Sequence, residues 1–337
     1  MKRTEFEGRT IEYCIFDPTG NITALVTTAV DPEDQPAAAA QVMRGEPAVE
    51  QVGFVQFAGC AGEAGGAAGK APVRLRMAGG EFCGNATMCS AALYQLLSGT
   101  ENCSAAADAA AASATQKVLV SVSGAALPLE VSLRQTGDAS FEASVQMPPA
   151  LSIEEIRFAA GTSGQVPQDQ TGCPAGGSAP AESSPEACSG MLPLVRMGGI
   201  DHIIIEKDSA FFGIKDDSGV AEKLVREWCA LLGSECLGLM FLEGEGSRHR
   251  LTPLVYVPGE DTTFWENSCA SGSAAAGMHL ASKAGGPVDV SFSEPAGELR
   301  VESDPQTSVT VMHGSVIMIA ADECTQTRVD AGSNSHR

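Results

Sequence analysis

Gly79-Gly80-Glu81-Phe82-Cys83-Gly84-Asn85-Ala86-Thr87 and, near the other end of the chain, Glu266-Asn267-Ser268-Cys269-Ala270-Ser271-Gly272-Ser273 are two versions of one local pattern. In each, a cysteine is followed by small and capping-type residues and then by an Ala-rich run that reads as helix. Ala86 to Leu97 and Ala270 to Ser282 are apolar nearly all round, so both helices are expected to be buried rather than amphipathic. The pattern predicts a duplicated lobe, each half presenting one thiol at a helix N-terminus.

Strand-like segments surround both sites. Thr10–Phe16 leads through a turn at Asp17-Pro18-Thr19-Gly20 to Ile22–Val26, and Val52–Phe57 and Val73–Met77 deliver the chain to Cys83. Strands are expected at 117–122, 127–133 and 140–147. In the second half they are expected at 194–197, 203–205, 237–242, 254–257, 309–312 and 315–320, with a helix over 220–232. The fold expected is α+β: two pseudo-symmetric lobes, each a curved mixed or antiparallel sheet around a central buried helix. The division is 1–150 for the lobe with Cys83, 151–190 for a Gly/Pro/Ser-rich linker or loop insertion, 191–324 for the lobe with Cys269, and 325–337 for a frayed tail. The last strand is free to return to the N-terminal lobe. Residues 102–115 read as an Ala/Ser-rich insertion.

Composition narrows the classes of function. A chain of 337 residues can bury a large core, and a formal net charge of −21 argues against nucleic acid, whose phosphates need clustered Lys and Arg. The first residues lack the apolar run of a signal peptide, and no stretch has the length of a membrane span. Eleven cysteines without framework spacing argue against a disulfide scaffold. A soluble cytoplasmic protein acting on a small molecule is expected, without nucleic acid or membrane partners. A homodimer is compatible with this reading.

A thiol at a helix N-terminus lies beside unpaired N–H groups and the positive end of the macrodipole, which favour the thiolate. The same N–H groups can hold a carboxylate. Two such ends converging on one amino acid would bind its α-carboxylate; one sulfur would remove the α-proton and the other would return a proton to the opposite face. Donors aimed at the carboxylate would stabilise the enolate-like charge. No cofactor is required by this scheme.

At these residues the sequence resembles the diaminopimelate epimerase-like family of amino-acid racemases and epimerases that work without pyridoxal phosphate. Cys83-Gly84-Asn85 matches the family's first site, and Cys269-Ala270-Ser271-Gly272 matches its Cys-Gly-Thr/Ser-Gly with Ala for the first Gly. Gly20-Asn21 resembles its substrate loop, and Gly199-Ile200-Asp201-His202 stands where it has Gly-Asn-Pro-His. The resemblance implies Cys83 and Cys269 as catalytic residues, and substrate contacts at Asn21, Gly84, Asn85, Glu260, Asp261, Ala270 and Ser271. The family's Glu-Arg pair, which meets the substrate's ammonium and distal carboxylate, reads Glu260-Asp261 here. An Asp would repel a second carboxylate, and the Asn expected at Ile200 and another near Gly238 are absent. These departures disfavour diaminopimelate and point to histidine, ornithine, lysine, arginine or a neutral amino acid. The alternatives are diaminopimelate epimerase proper, a phenazine-biosynthesis-type isomerase, a proline or hydroxyproline racemase or epimerase, and a non-catalytic amino-acid-binding protein on the same scaffold.

Other features read as structural. Cys14, Cys89, Cys229, Cys236 and the remaining cysteines are expected to pack as small apolar residues. Glu81 and Glu266 read as charges complementing helix dipoles. His202, His249, His279 and His313 lack zinc-ligand spacing, so no metal is expected. Gly59–Lys70 imitates a phosphate loop, but Ala64 and Ala71 stand where Gly and Ser/Thr are needed.

Overall fold

The computed structural model describes residues 1–57, 71–101, 114–159, 189–259 and 261–319. The first half runs β1 (Lys2–Phe6), β2 (Arg9–Asp17), β3 (Thr23–Val26), α1 (Gln35–Gly45), β4 (Gln51–Phe57), β5 (Val73–Met77), α2 (Gly84–Glu101), β6 (Gln116–Val122), β7 (Leu129–Gly137) and β8 (Ser140–Gln146). The second half runs β9 (Ser152–Ala159), β10 (Ser189–Arg196), β11 (Asp201–Glu206), α3 (Ser218–Leu232), β12 (Leu237–Glu245), β13 (Arg248–Val257) and β14 (Thr262–Trp265). It ends with α4 (Ala270–Ala284), β15 (Val288–Glu294), β16 (Gly297–Asp304) and β17 (Val309–Ile319).

The fold is α+β, and its strands obey the two-residue period. In β5, Val73, Leu75 and Met77 are buried while Arg74 is exposed and Arg76 half-buried, because successive side chains leave opposite faces of a sheet. Strands β2 through β8 pair in sequence, and β17 pairs with both β8 and β2, closing an eight-stranded barrel. The ladders from β2 to β8 run antiparallel, parallel, antiparallel, parallel, antiparallel, antiparallel. The same order recurs from β10 through β11, β12, β13, β15 and β16 to β17.

Two Ala-rich helices pack against these strands. Helix α2 packs against β3, β4, β5, β6, β7, β8 and β17, and α4 against β10, β11, β12, β15, β16 and β17. Ala86, Met88, Cys89, Ala91 and Ala92 in α2, and Ala274, Ala275 and Ala276 in α4, are wholly buried. Small side chains allow this close approach: a Cβ at Gly277 would lie 2.6 Å from Val301 Cγ1. The amphipathic helices lie elsewhere. In α3, Asp217 caps the first turn through the Val220 N–H, and Ala221, Leu224, Val225, Trp228 and Cys229 face inward.

Several expectations need correction. The segments 309–312 and 315–320 form one strand, β17, which continues through Gly314 instead of turning there. The stretch read as a linker from 151 begins as a strand: β9 pairs along its length with β10. Residues 160–188 and 325–337, and most of the 102–115 insertion, lie outside the described residues, as does the 59–70 phosphate-loop lookalike. Strand β7 starts at Leu129, leaving Leu127 exposed. No described helix is long and apolar enough to cross a membrane.

Candidate active site

The two cysteine motifs meet. Gly84 and Ala270, each next to its cysteine, pack so closely that a Cβ on Gly84 would lie 2.9 Å from the Ala270 methyl. The Gly-to-Ala departure at position 270 is therefore accommodated by the bare α-carbon of Gly84. Cys83, Gly84, Asn85, Cys269, Ala270 and Ser271 line one cavity, with Glu50, Gln51, Glu81, Ile200, Phe264 and Glu266 among its other walls. Its free volume is about 50 Å³, room for only one or two waters.

Each cysteine opens its helix in the same way. The Ala86 N–H points at Cys83 Sγ at 3.3 Å, and the Gly272 N–H at Cys269 Sγ at 3.4 Å, each sulfur three residues before its donor. The sulfurs thus take the part of a capping side chain and use N–H groups that the first turn leaves without helical acceptors.

A chain of hydrogen bonds runs from the first thiol to Glu266. Cys83 Sγ donates to Gln51 Oε1 at 2.8 Å, and Gln51 Nε2 donates to Glu266 Oε1 at 3.0 Å. The Glu266 carboxylate also acts on the Cys269 thiol by its charge, while the thiol pairs with the Ser271 hydroxyl at 3.6 Å. Neither Gln51 nor this role of Glu266 was readable from the sequence. Glu266 is a buried wall of the cavity rather than a dipole-complementing charge, and burial pushes its carboxyl up to about 7.

The thiols themselves differ from expectation. Burial pushes Cys83 well above its ordinary value, and the Ala86 N–H only partly opposes this. Burial likewise raises Cys269, aided by the negative charges of Glu266 and Glu294. Desolvation outweighs the helix dipole, so both sulfurs rest as thiols in the closed cavity.

Two expected substrate contacts are used inside the protein. Asn21 Nδ2 and Asn85 Nδ2 both donate to the carbonyl of Ser268, at 2.7 and 3.2 Å. Asn85 still lines the cavity, whereas Asn21 is buried outside its lining. Asp261 is not brought to the cavity: its carboxylate is exposed and pairs with Arg226, whose guanidinium lies over the Tyr256 ring. Glu260 lies outside the described residues. His202 is fully buried, and burial lowers it to about 3, so the ring is neutral. It does not line the cavity.

The family of histidine racemase CntK N-terminal domains matches residues 10–166 and 182–322. The chain belongs to this family. Histidine racemases of two Fusobacterium nucleatum strains are each 26% identical over 277 residues, which is 80% of this chain and 80% and 81% of theirs. A solved predicted epimerase from Pseudomonas aeruginosa shares the fold at a TM-score of 0.52, with 11% identity over 91% of this chain and 96% of that one. This member of the histidine racemase family is thus an isomerase of the diaminopimelate epimerase-like racemases, as the cysteine motifs indicated.

Within the histidine racemase fold, the residues that wall the cavity or brace its lining residues come from distant strands and loops. Glu50 and Gln51 enter at β4, and Asn267 Nδ2 donates to Glu50 Oε1. Glu294, at the end of β15, accepts the Cys269 N–H at 2.5 Å and pairs with the Ser273 hydroxyl. No local pattern marks these carboxylates, since each acquires its partner only when strands far apart in sequence are brought together.

Proposed function

We propose that the chain racemises histidine or a related basic amino acid by a two-thiol mechanism with no pyridoxal phosphate, Cys83 and Cys269 working on opposite faces of the α-carbon. The observation that carries this reading is the convergence of both cysteine motifs on one cavity, where Gln51 links Cys83 to Glu266. The recurring ladder order supports two pseudo-symmetric lobes, each wrapped around its buried helix, with the site at their junction.

In the reaction, Glu266 accepts the Cys269 proton as substrate displaces the resting hydrogen bonds. The resulting thiolate takes the α-proton, while the other sulfur, still a thiol, gives its proton to the opposite face. The sulfurs end with their protonation states exchanged, and the reverse reaction begins from there. First-turn N–H groups of both helices hold the α-carboxylate and the charge that builds on it. Such donors are worth about 3–4 kcal/mol each in comparable sites.

The walls favour a basic or imidazole side chain over an acidic one. Glu50, Glu81 and Glu266 line the cavity, and among the described residues no Arg or Lys does. A second carboxylate on the substrate would meet only like charge. Asp261, exposed and held by Arg226, plays no part in this preference. The present free volume is well below the roughly 300 Å³ of ordinary ligand sites, so entry requires the walls to separate around the substrate.

Proton NMR in D₂O of the reduced protein, against L-histidine, other basic amino acids and diaminopimelate, tests the proposal. Loss of the α-proton signal of histidine or another basic amino acid, with racemisation, is expected. Exchange confined to diaminopimelate would overturn the substrate assignment, and silence across the panel would overturn the reaction.

A further inference from the structure

We infer that Glu294 is a positioning residue for Cys269, fixing the second thiol's loop and setting how readily that thiol ionises relative to its counterpart. The inference rests on the two-thiol reading and adds to it an asymmetry between the two halves.

Glu294 ends β15 and is buried. One carboxylate oxygen accepts the Cys269 N–H at 2.5 Å, and the other pairs with the Ser273 hydroxyl. A single side chain thereby grips the first turn of α4 at the cysteine and again four residues on. The hairpin that delivers it is held in turn: the Ala296 N–H donates to Asn267 O at 3.1 Å, and the Ala296 methyl packs so tightly on Gly20 that no Cβ would fit there.

The first half is built differently at the matching places. Thr87 stands at the same offset from Cys83 as Ser273 from Cys269, yet its hydroxyl donates to the Cys83 carbonyl at 2.6 Å. Strand β6 occupies the ladder position of β15 and runs into Ser123, whose hydroxyl donates to Glu81 O at 2.8 Å. A carboxylate bonded directly to the cysteine's own N–H at one helix start is thus matched by hydroxyls at the other, where Glu81 and Glu266 act on Cys83 by charge.

A negative charge beside the α4 N-terminus answers the helix dipole in place of a thiolate, and so keeps the proton on Cys269. The groups facing Glu294 are the Cys269 and Ser273 donors and the Glu266 carboxylate from the preceding loop. Burial pushes Glu294 up to about 8, below the ordinary thiol value of 9.0, so it is charged over the range where Cys269 ionises.

The test is the pH dependence of iodoacetamide alkylation at each cysteine, read peptide by peptide by mass spectrometry in the full chain. In Glu294→Gln, the Cys269 midpoint should fall by about 1–3 pH units while the Cys83 midpoint stays, and kcat for histidine should drop with KM held. An unmoved Cys269 midpoint, or equal changes at both cysteines, would overturn the inference. Should Glu294→Gln not fold, Glu294→Asp keeps the charge but cannot span both donors. It should retain the Cys269 midpoint and lose about tenfold or more in kcat, by analogy with other misplacements of catalytic groups; wild-type kcat would count against the inference. Failure of the wild-type protein to exchange an α-proton would instead remove the two-thiol reading, and the alkylation comparison would still stand by itself.

Discussion

Asn21 Nδ2 lies 2.7 Å from the carbonyl oxygen of Ser268, the residue immediately before Cys269 and 247 positions further along the chain. Asn85, two residues after Cys83, reaches the same oxygen at 3.2 Å. The first half of the molecule therefore holds the second half's thiol in place. Asn21→Ala should cost about 1 kcal/mol of stability, the usual net worth of one hydrogen bond, because Asn85 still satisfies the carbonyl. Losing both should cost more than the sum, since Ser268 is fully buried and its carbonyl would be left unpaired. Chemical denaturation of the two single variants and the double variant would measure the coupling, and strict additivity would contradict it.

Gly84→Ala should be damaging because its methyl would stand 2.9 Å from that of Ala270, with Met147 close on another side. Overpacking of this kind costs about 1–3 kcal/mol. Combining it with Ala270→Gly should restore much of the loss, since the second change removes the atom that is struck. Thermal melts and kcat of the three variants would show whether the two positions compensate.

Cys83→Ser and Cys269→Ser should each abolish measurable racemisation, with rate losses of about 10²–10⁴ or more from the missing proton transfer. Serine keeps the size and capping role of the side chain but is a far poorer acid and base at neutral pH. Each variant should stay folded by circular dichroism. Full racemisation in either one would contradict a two-base mechanism.

Stability should fall as pH rises through neutrality. Burial raises Glu266 from 4.5 to about 7 and Glu294 from 4.5 to about 8. Between their ordinary and raised values the folded protein binds more protons than the unfolded chain, so ionising conditions favour unfolding. A tenfold difference in proton affinity between the folded and unfolded chain is worth about 1.4 kcal/mol. The contribution of the two carboxyls is fully favourable below pH 4.5 and is lost progressively up to about pH 8. Melting temperatures from pH 5 to pH 8.5 should decline, and the decline should flatten in Glu294→Gln; a flat wild-type profile would contradict the assignment.

The sequence displayed the parts whose signals are local. The small-residue runs after Cys83 and Cys269 marked both buried helices, and the alternation in Val73–Met77 marked a strand feeding the first. Helix α1 is also written locally, in Pro36 at its start followed by Ala37–Ala40, but Asp31, Glu33 and Asp34 before it give that stretch the look of a loop. Strand β9 escaped because three of its eight residues, Glu154, Glu155 and Arg157, are exposed and charged, leaving little apolar alternation beside a Gly/Pro-rich stretch. Gln51, Glu266 and Glu294 could not be placed from local pattern, because their meaning comes from partners across the fold. The thiol acidity was misjudged for a related reason: a helix start is visible in sequence, but the depth of burial that overrides it is not.

Strand β17 has a consequence for how the molecule comes into being. It lies between β8 and β2, so the eight-stranded barrel lacks one stave until residues 309–319 exist. A ribosome would have released β2 to β8 long before that stave emerged, leaving β8 and the Ile15–Asp17 end of β2 without that partner, while β1 already pairs with Arg9–Tyr13. Such edges invite pairing with other chains. The barrel of the first half is thus completed only when a strand from the far end of the second half, β17, has been made.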